Sequence, residues 1–108
     1  MITCFVLSPD RTRIAYDVNG TGPAILLLHG GGIFRQEWHA TGYVERLKKA
    51  FKVITVDLRG HGESDQPENP TSYTPEKMSQ DFMAVADACA VDHFILWGFS
   101  YGGKVLRI

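Results

Sequence analysis

The sequence has no long hydrophobic run, few cysteines and no excess of charge of either sign. None of its apolar stretches approaches the about 18 residues that a membrane-spanning helix needs, so we expect no contact with a membrane. The 11 basic and 12 acidic residues give a formal net charge of -1 without a strongly basic cluster, which argues against nucleic acid as a partner.

Only two cysteines, Cys4 and Cys89, are present, and they lie far apart in the sequence. Free thiols in a reducing cytosol are the simplest interpretation, which favours a cytoplasmic protein; a disulfide between them is the alternative. No spacing of cysteine and histidine matches a metal site, and no motif implies a metal or an organic cofactor.

The hydrophobic pattern predicts an α/β fold within the 108 residues, a length that allows at most one domain. Residues 2–7 and 13–18 predict an antiparallel hairpin, because a turn-forming cluster separates two strand-like runs. Further strands are predicted for apolar runs that suit burial on both faces of a parallel sheet, at 24–28, 51–56 and 94–97.

Two helices are predicted between these strands, at 41–50 and from Pro75 to about residue 90. Thr74 is placed to cap the second helix, and Pro75 suits its first turn. The alternation of strand and helix after the hairpin predicts parallel strands joined by right-handed crossovers.

Three glycine-containing loops follow the predicted parallel strands, at residues 29–33, 57–64 and 98–102. Parallel strands end at the same edge of a sheet, and ligands of open α/β sheets bind at that edge. We therefore expect the three loops to lie together and to form the functional site.

The third of these loops has the pattern Gly-x-Ser-x-Gly around Ser100. It lies between an apolar strand and a predicted helix start, and a sharp strand-to-helix turn projects a serine hydroxyl away from the sheet. The glycines on either side leave room where backbone segments crowd together. The pattern makes Ser100 a candidate nucleophile, although it is only moderately specific by itself.

Three segments in order resemble motifs of the α/β-hydrolase fold family. Residues 27–32 (LLHGGG) resemble its oxyanion loop, residues 56–64 (VDLRGHGES) resemble its D-x-R-G-H-G-x-S turn, and residues 98–103 (GFSYGG) resemble its nucleophile elbow. The similarity covers most of residues 12–107. It implies that residues 1–108 are the N-terminal portion of a single α/β-hydrolase domain, without the later strands, the lid, or the loops that carry the acid and the histidine.

The resemblance also implies a role for particular residues. Ser100 would be the nucleophile, and the backbone amides of Gly31 and Tyr101 would form the oxyanion hole, which stabilises the negative charge that develops on the reacting oxygen. Gly32 is the neighbouring candidate if the loop is shifted by one residue.

Aromatic residues near these motifs are candidates for the walls of a substrate pocket. They are Phe34, Trp38, Phe99 and Tyr101. Packing of each ring into the core or between loops is an equally good interpretation of the sequence alone.

The serine narrows the reaction that the resemblance implies. Family members that open epoxides or displace halide carry aspartate at the position of Ser100. Acyl chemistry on a small ester, lactone or related carbonyl compound is therefore preferred. Cofactor-free perhydrolases and carbon-carbon bond hydrolases share the serine elbow and remain alternatives, as does a non-catalytic truncated or degenerate hydrolase fragment.

A serine hydroxyl needs a base that is itself oriented by a third group. In this fold the acid and the histidine follow the serine, whereas eight residues follow Ser100 here. We expect the isolated 108-residue chain to be poorly stable and to have little or no turnover. Among its histidines we expect His29 and His61 to support loops and His93 to lie at the wrong end of a strand, which leaves His39 open as a substitute base.

The same length leaves the strand at 94–98 without a partner on one side. An open apolar edge pairs readily with another chain. We therefore expect self-association through this edge.

Overall fold

In the computed structural model, which describes residues 2–30 and 32–98, five strands form one mixed sheet. The strands are β1 (Cys4–Leu7), β2 (Arg13–Asn19), β3 (Ala24–Leu28), β4 (Lys52–Val56) and β5 (Phe94–Gly98). Their order across the sheet is β1-β2-β4-β3-β5. β1 pairs with β2 as the predicted antiparallel hairpin, and β3 runs parallel to both β4 and β5. The expected hairpin followed by parallel strands is confirmed.

Three α-helices and one short 3₁₀ helix accompany the sheet over the described residues. They are α1 (Gln36–Ala40), α2 (Tyr43–Leu47), the 3₁₀ helix (Pro70–Tyr73) and α3 (Pro75–Ala88). The predicted start of α3 is confirmed, because the Thr74 hydroxyl accepts a hydrogen bond from the Lys77 amide at 3.3 Å. None of these helices is long and apolar enough to cross a membrane.

The helix predicted over 41–50 is present but shorter, because α2 runs from Tyr43 to Leu47. A further short helix, α1, precedes it, and the two are separated at Gly42, whose φ of 85° is left-handed and interrupts helical geometry. Thr41 closes α1 by donating its hydroxyl to the Glu37 carbonyl at 2.8 Å. Trp38 and His39, for which no helix was predicted, lie on α1.

All five residues of β3 are buried, as the apolar run predicts. Its alternate side chains enter two separate clusters, since successive residues of a strand face opposite sides of the sheet. Leu26 and Leu28 pack in the cluster that contains Phe82 of α3, whereas Ile25 and Leu27 pack with residues of α1 and α2. Helices thus cover β3 on both faces.

β5 lies at the end of the strand order within the described part of the chain. Its alternate residues Ile95 and Trp97 are 52% and 41% exposed. Self-association through this strand stays a prediction.

Cys4 and Cys89 are free, partly buried thiols that pack against the cluster on the α3 side. Burial raises the pKa of the Cys89 thiol. The Cys89 thiol is therefore protonated at neutral pH, and both cysteines pack as small, largely apolar side chains.

Candidate functional site

Three strands end level with one another at one edge of the sheet. Leu28 of β3 pairs with Val56 of β4 on one side and with Gly98 of β5 on the other. Paired strands lie about 4.8 Å apart, so Leu28, Val56 and Gly98 lie at adjacent positions along this edge. The loops at 29–33 and 57–64 follow two of these positions; the third loop lies outside the described residues except for Gly98.

Several of the predicted site residues lie outside the described residues. They are Gly31, Phe99, Ser100 and Tyr101. The nucleophile and the oxyanion hole therefore remain predictions.

Gly32, the alternative oxyanion candidate, has a left-handed backbone with φ of 83°. A Cβ built on it would meet no atom within 4 Å. Glycine at this position therefore serves the backbone conformation rather than close packing, and the space beside the loop is open.

His29 fixes the beginning of the first loop. The Leu58 amide donates to His29 Nε2 at 3.0 Å, so the proton of the neutral ring lies on Nδ1, which donates to the Gly30 carbonyl at 2.7 Å. Burial lowers the pKa of His29 although the bond to Gly30 acts the other way. Both ring nitrogens are engaged, so His29 supports the loop and is unavailable as a base.

Asp57 organises the turn after β4. Its side chain is fully buried. Oδ1 accepts a hydrogen bond from the Arg35 backbone amide at 2.7 Å. Oδ2 accepts one from the Glu63 backbone amide at 3.0 Å and another from Nη1 of Arg35. A Cβ at Gly62 would lie 2.4 Å from the Asp57 carboxyl carbon, so a side chain there would displace the carboxylate. These contacts give Asp57 a structural role in shaping the turn.

Arg35 is a site residue that the sequence reasoning missed. Its buried guanidinium contacts Asp17 at 2.9 Å and Glu63 at 3.1 Å in addition to Asp57. Burial disfavours its charge, but the hydrogen bonds that it donates to Asp17 and Glu63 and the charge of Asp57 outweigh that effect and raise the pKa of Arg35. The signal in the sequence was Asp17 in the middle of a buried strand, because a buried carboxylate needs a cation nearby.

His39, the histidine left open as a base, is held on the side of β2. Its Nε2 lies 2.9 Å from Oδ1 of Asp17, which is a residue of β2. In the sheet β2 is three strand positions from β5, a distance of about 14 Å, so His39 is held away from the end of β5. His61 contacts the Arg59 carbonyl through Nδ1 at 3.1 Å. His93 precedes β5 and so lies a strand length of about 16 Å from its end at Gly98.

A cavity of about 280 Å³ lies beside the first loop. Its walls include His29, Gly30 and three aromatic rings, those of Trp38, Tyr43 and Trp97. The ring of Trp38 lies 5.2 Å from that of Tyr43 and 5.9 Å from that of Trp97, measured between centroids.

Trp38 was expected to form a pocket wall and does line this cavity. Phe34 does not line it and is 48% exposed. Tyr43 and Trp97 were missed, because no pattern in the sequence indicates that the end of β5 lies near α1 and α2.

Comparison with known proteins places the chain in a family. The α/β-hydrolase fold model matches residues 23–108, so the chain belongs to the α/β-hydrolase fold family. A curated relative is epoxide hydrolase 3 of Siraitia grosvenorii, 36% identical over 87 residues that cover 80% of this chain and 27% of the relative.

Two solved structures show the same likeness. An epoxide hydrolase from Vigna radiata superposes with a TM-score of 0.88 at 26% identity and covers 96% of this chain and 33% of its own. An esterase from Exiguobacterium antarcticum gives a TM-score of 0.85 at 28% identity, covering 97% of this chain and 38% of its own. The chain thus spans roughly a quarter of its curated relative and a third of these structures.

Proposed function

We propose that this chain carries the nucleophile, the oxyanion loop and the adjoining turn of a serine hydrolase that acts on an ester, lactone or related carbonyl compound. One observation supports the proposal: Leu28 pairs with Gly98, and these two residues shortly precede Gly31 and Ser100 in the sequence. An oxyanion hole needs amides from both segments, and each such donor typically contributes about 3 kcal/mol of transition-state stabilisation.

Epoxide opening is the second candidate, because the curated relative and one similar structure are named epoxide hydrolases. The nucleophile decides between the two on chemical grounds. A carboxylate that attacks an epoxide carbon forms an ester, and water can then attack its carbonyl carbon. The oxygen of Ser100 would instead form an ether, which offers water no carbonyl and would stop the enzyme after one turnover. Serine therefore favours acyl transfer.

The cavity beside the oxyanion loop supports a compact apolar group in the substrate. Its volume of about 280 Å³ lies near the lower end of ligand pockets, and aromatic rings form much of its wall. Gly30 contributes to the same wall, so a substituent held there would lie next to the proposed reaction centre.

We also propose that the 108-residue chain alone does not turn over. His29 uses both ring nitrogens within the loops, His39 is bonded to Asp17, and His93 lies at the opposite end of β5 from Gly98. None of these three histidines is therefore placed to act as the base for the proposed nucleophile. Free thiols at Cys4 and Cys89 favour a cytoplasmic location for the protein.

The test is the intact mass after exposure to a fluorophosphonate, measured on the polypeptide as its gene encodes it and on residues 1–108. We expect one adduct on the former, lost in Ser100→Ala and retained in the control Ser79→Ala, whose serine lies on α3. We expect no adduct on residues 1–108. Labelling that survives Ser100→Ala would contradict the serine mechanism, as would repeated turnover of an epoxide without hydrolysis of any ester.

A further inference from the structure

The segment from His29 to Arg35, which contains the first loop, is hydrogen-bonded at both ends to two consecutive residues after β4. At its beginning, His29 accepts the Leu58 amide at 3.0 Å. At its end, Arg35 donates its backbone amide to Asp57 at 2.7 Å and its guanidinium to the other oxygen of the same carboxylate. The spacing between residues 29 and 35 is therefore set by the turn that follows β4.

Between these two attachments the described part of the loop is weakly held. The hydrogen bond from the Ile33 amide to the Gly30 carbonyl is 3.5 Å long, at the outer limit for such bonds. Gly32 has open space where a side chain would stand, and Phe34 is 48% exposed. The position of the loop thus depends on its ends.

The guanidinium of Arg35 joins three separate parts of the fold. Its carboxylate partners are Asp17 on β2, Asp57 after β4 and Glu63 in the following turn. The planar guanidinium donates in several fixed directions, so it sets the relative orientation of its carboxylate partners as well as their distances. The ammonium group of lysine carries the same charge but has no such fixed directions.

We propose that Arg35 is a positioning residue that sets the oxyanion loop of the hydrolase, an inference that rests on the function proposed above. Oxyanion donors act on charge that exists only in the transition state, so their displacement lowers kcat more than it changes KM. Misplacement by 1 Å can cost about 100-fold.

The experiment compares Arg35→Lys with Val85→Ala in the polypeptide as its gene encodes it. Val85 is a fully buried residue of α3 that packs in the cluster containing Phe82, so it is a stability control outside the loops of the site. For ester hydrolysis we expect Arg35→Lys to lower kcat about 10- to 100-fold with KM changed less than about threefold. Val85→Ala should lower the stability by leaving a cavity while kcat stays within about threefold.

A second readout is amide hydrogen exchange over residues 29–36, which we expect to rise about tenfold in Arg35→Lys and to stay unchanged in Val85→Ala. Glu63→Gln removes the partner whose side chain is 55% exposed, so it should fold and lower kcat by up to about fivefold.

Equal kcat losses in Arg35→Lys and Val85→Ala would overturn the proposal, as would unchanged exchange in Arg35→Lys. If the parent polypeptide hydrolyses no ester, the proposed function fails. The exchange measurement then decides by itself whether Arg35 sets the loop.

Discussion

The buried ion pair between Arg59 and Asp81 gives the sharpest prediction for stability. Nε and Nη2 of the arginine contact the two carboxylate oxygens at 2.8 and 2.6 Å, and the side chains are 0% and 2% exposed. Arg59→Met would leave the Asp81 charge buried without its cation. Such a loss costs about 3–5 kcal/mol, a large part of the about 5–15 kcal/mol that stabilises a typical domain.

Most of this cost should come from Asp81 rather than from the other partners of Arg59. Asp10 keeps 25% of its side chain exposed, so water can solvate it when the arginine is removed. The double variant Arg59→Met/Asp81→Leu removes both buried charges and fills the space with apolar atoms. Replacements of this kind are often neutral, and we therefore expect the double variant to recover about 2–4 kcal/mol relative to the sum of the single variants.

The assay is urea unfolding followed by far-ultraviolet circular dichroism for the parent, both single variants and the double variant. A loss of less than about 1 kcal/mol of unfolding free energy in Arg59→Met would show that Asp81 does not need its cation. If the losses in the two single variants add up to the loss in the double variant, the two charges do not interact and the prediction is wrong.

Two further predictions concern backbone space and pH. Gly20→Ala should lower the free energy of unfolding in urea by about 2–5 kcal/mol, since φ is 84° and the new Cβ would lie 2.4 and 2.6 Å from two carbonyl oxygens. Gly42→Ala has a similar φ of 85° but no atom within 4 Å of the new Cβ, so it should cost only about 1–2 kcal/mol. Equal losses in the two variants would contradict the steric argument. The Arg59 guanidinium holds the pKa of Asp10 well below its usual range, so this pair stabilises the fold above about pH 4 and the stability falls as acid protonates the unfolded chain. Asp10→Asn should cost on the order of 1 kcal/mol at pH 7 and flatten the loss between about pH 4 and pH 2, and a parallel acid curve would disprove it.

Local chemistry was sufficient to predict much of the fold. The five apolar residues of β3 suit a strand covered on both faces, and Thr74 with Pro75 marks a helix start through interactions within four residues. The helix predicted over 41–50 was found at Tyr43–Leu47, so its ends rather than its existence were mispredicted. Val44 and Leu47 have helical spacing and do lie in a helix, but glycine at 42 is compatible with either a continuous helix or a left-handed break, and the contacts around it decide.

The ion pairs of the site were beyond prediction because they connect distant parts of the sequence. Arg35 contacts acids that lie 18 and 22 residues away, and Arg59 contacts acids 22 and 49 residues away. Charges at such separations have no periodic signature, so the sequence shows only that buried charges must find partners. The aromatic cavity was missed for the same reason. Trp97 of β5 lies near Trp38 of α1 only because β5 pairs with β3, which is a contact between distant parts of the sequence.

The turn at residues 57–64 connects the two faces of the sheet, and this limits what its acid can do chemically. Arg35 fastens the turn toward the oxyanion loop and β2, whereas Arg59 fastens it toward α3. Both oxygens of Asp57 already accept hydrogen bonds from backbone amides, and one also binds the Arg35 guanidinium. Full burial and these three contacts assign Asp57 to holding the turn against Arg35. We therefore expect the acid of the proposed reaction to be a group other than Asp57, with Asp57 placing the loop that we propose stabilises charge.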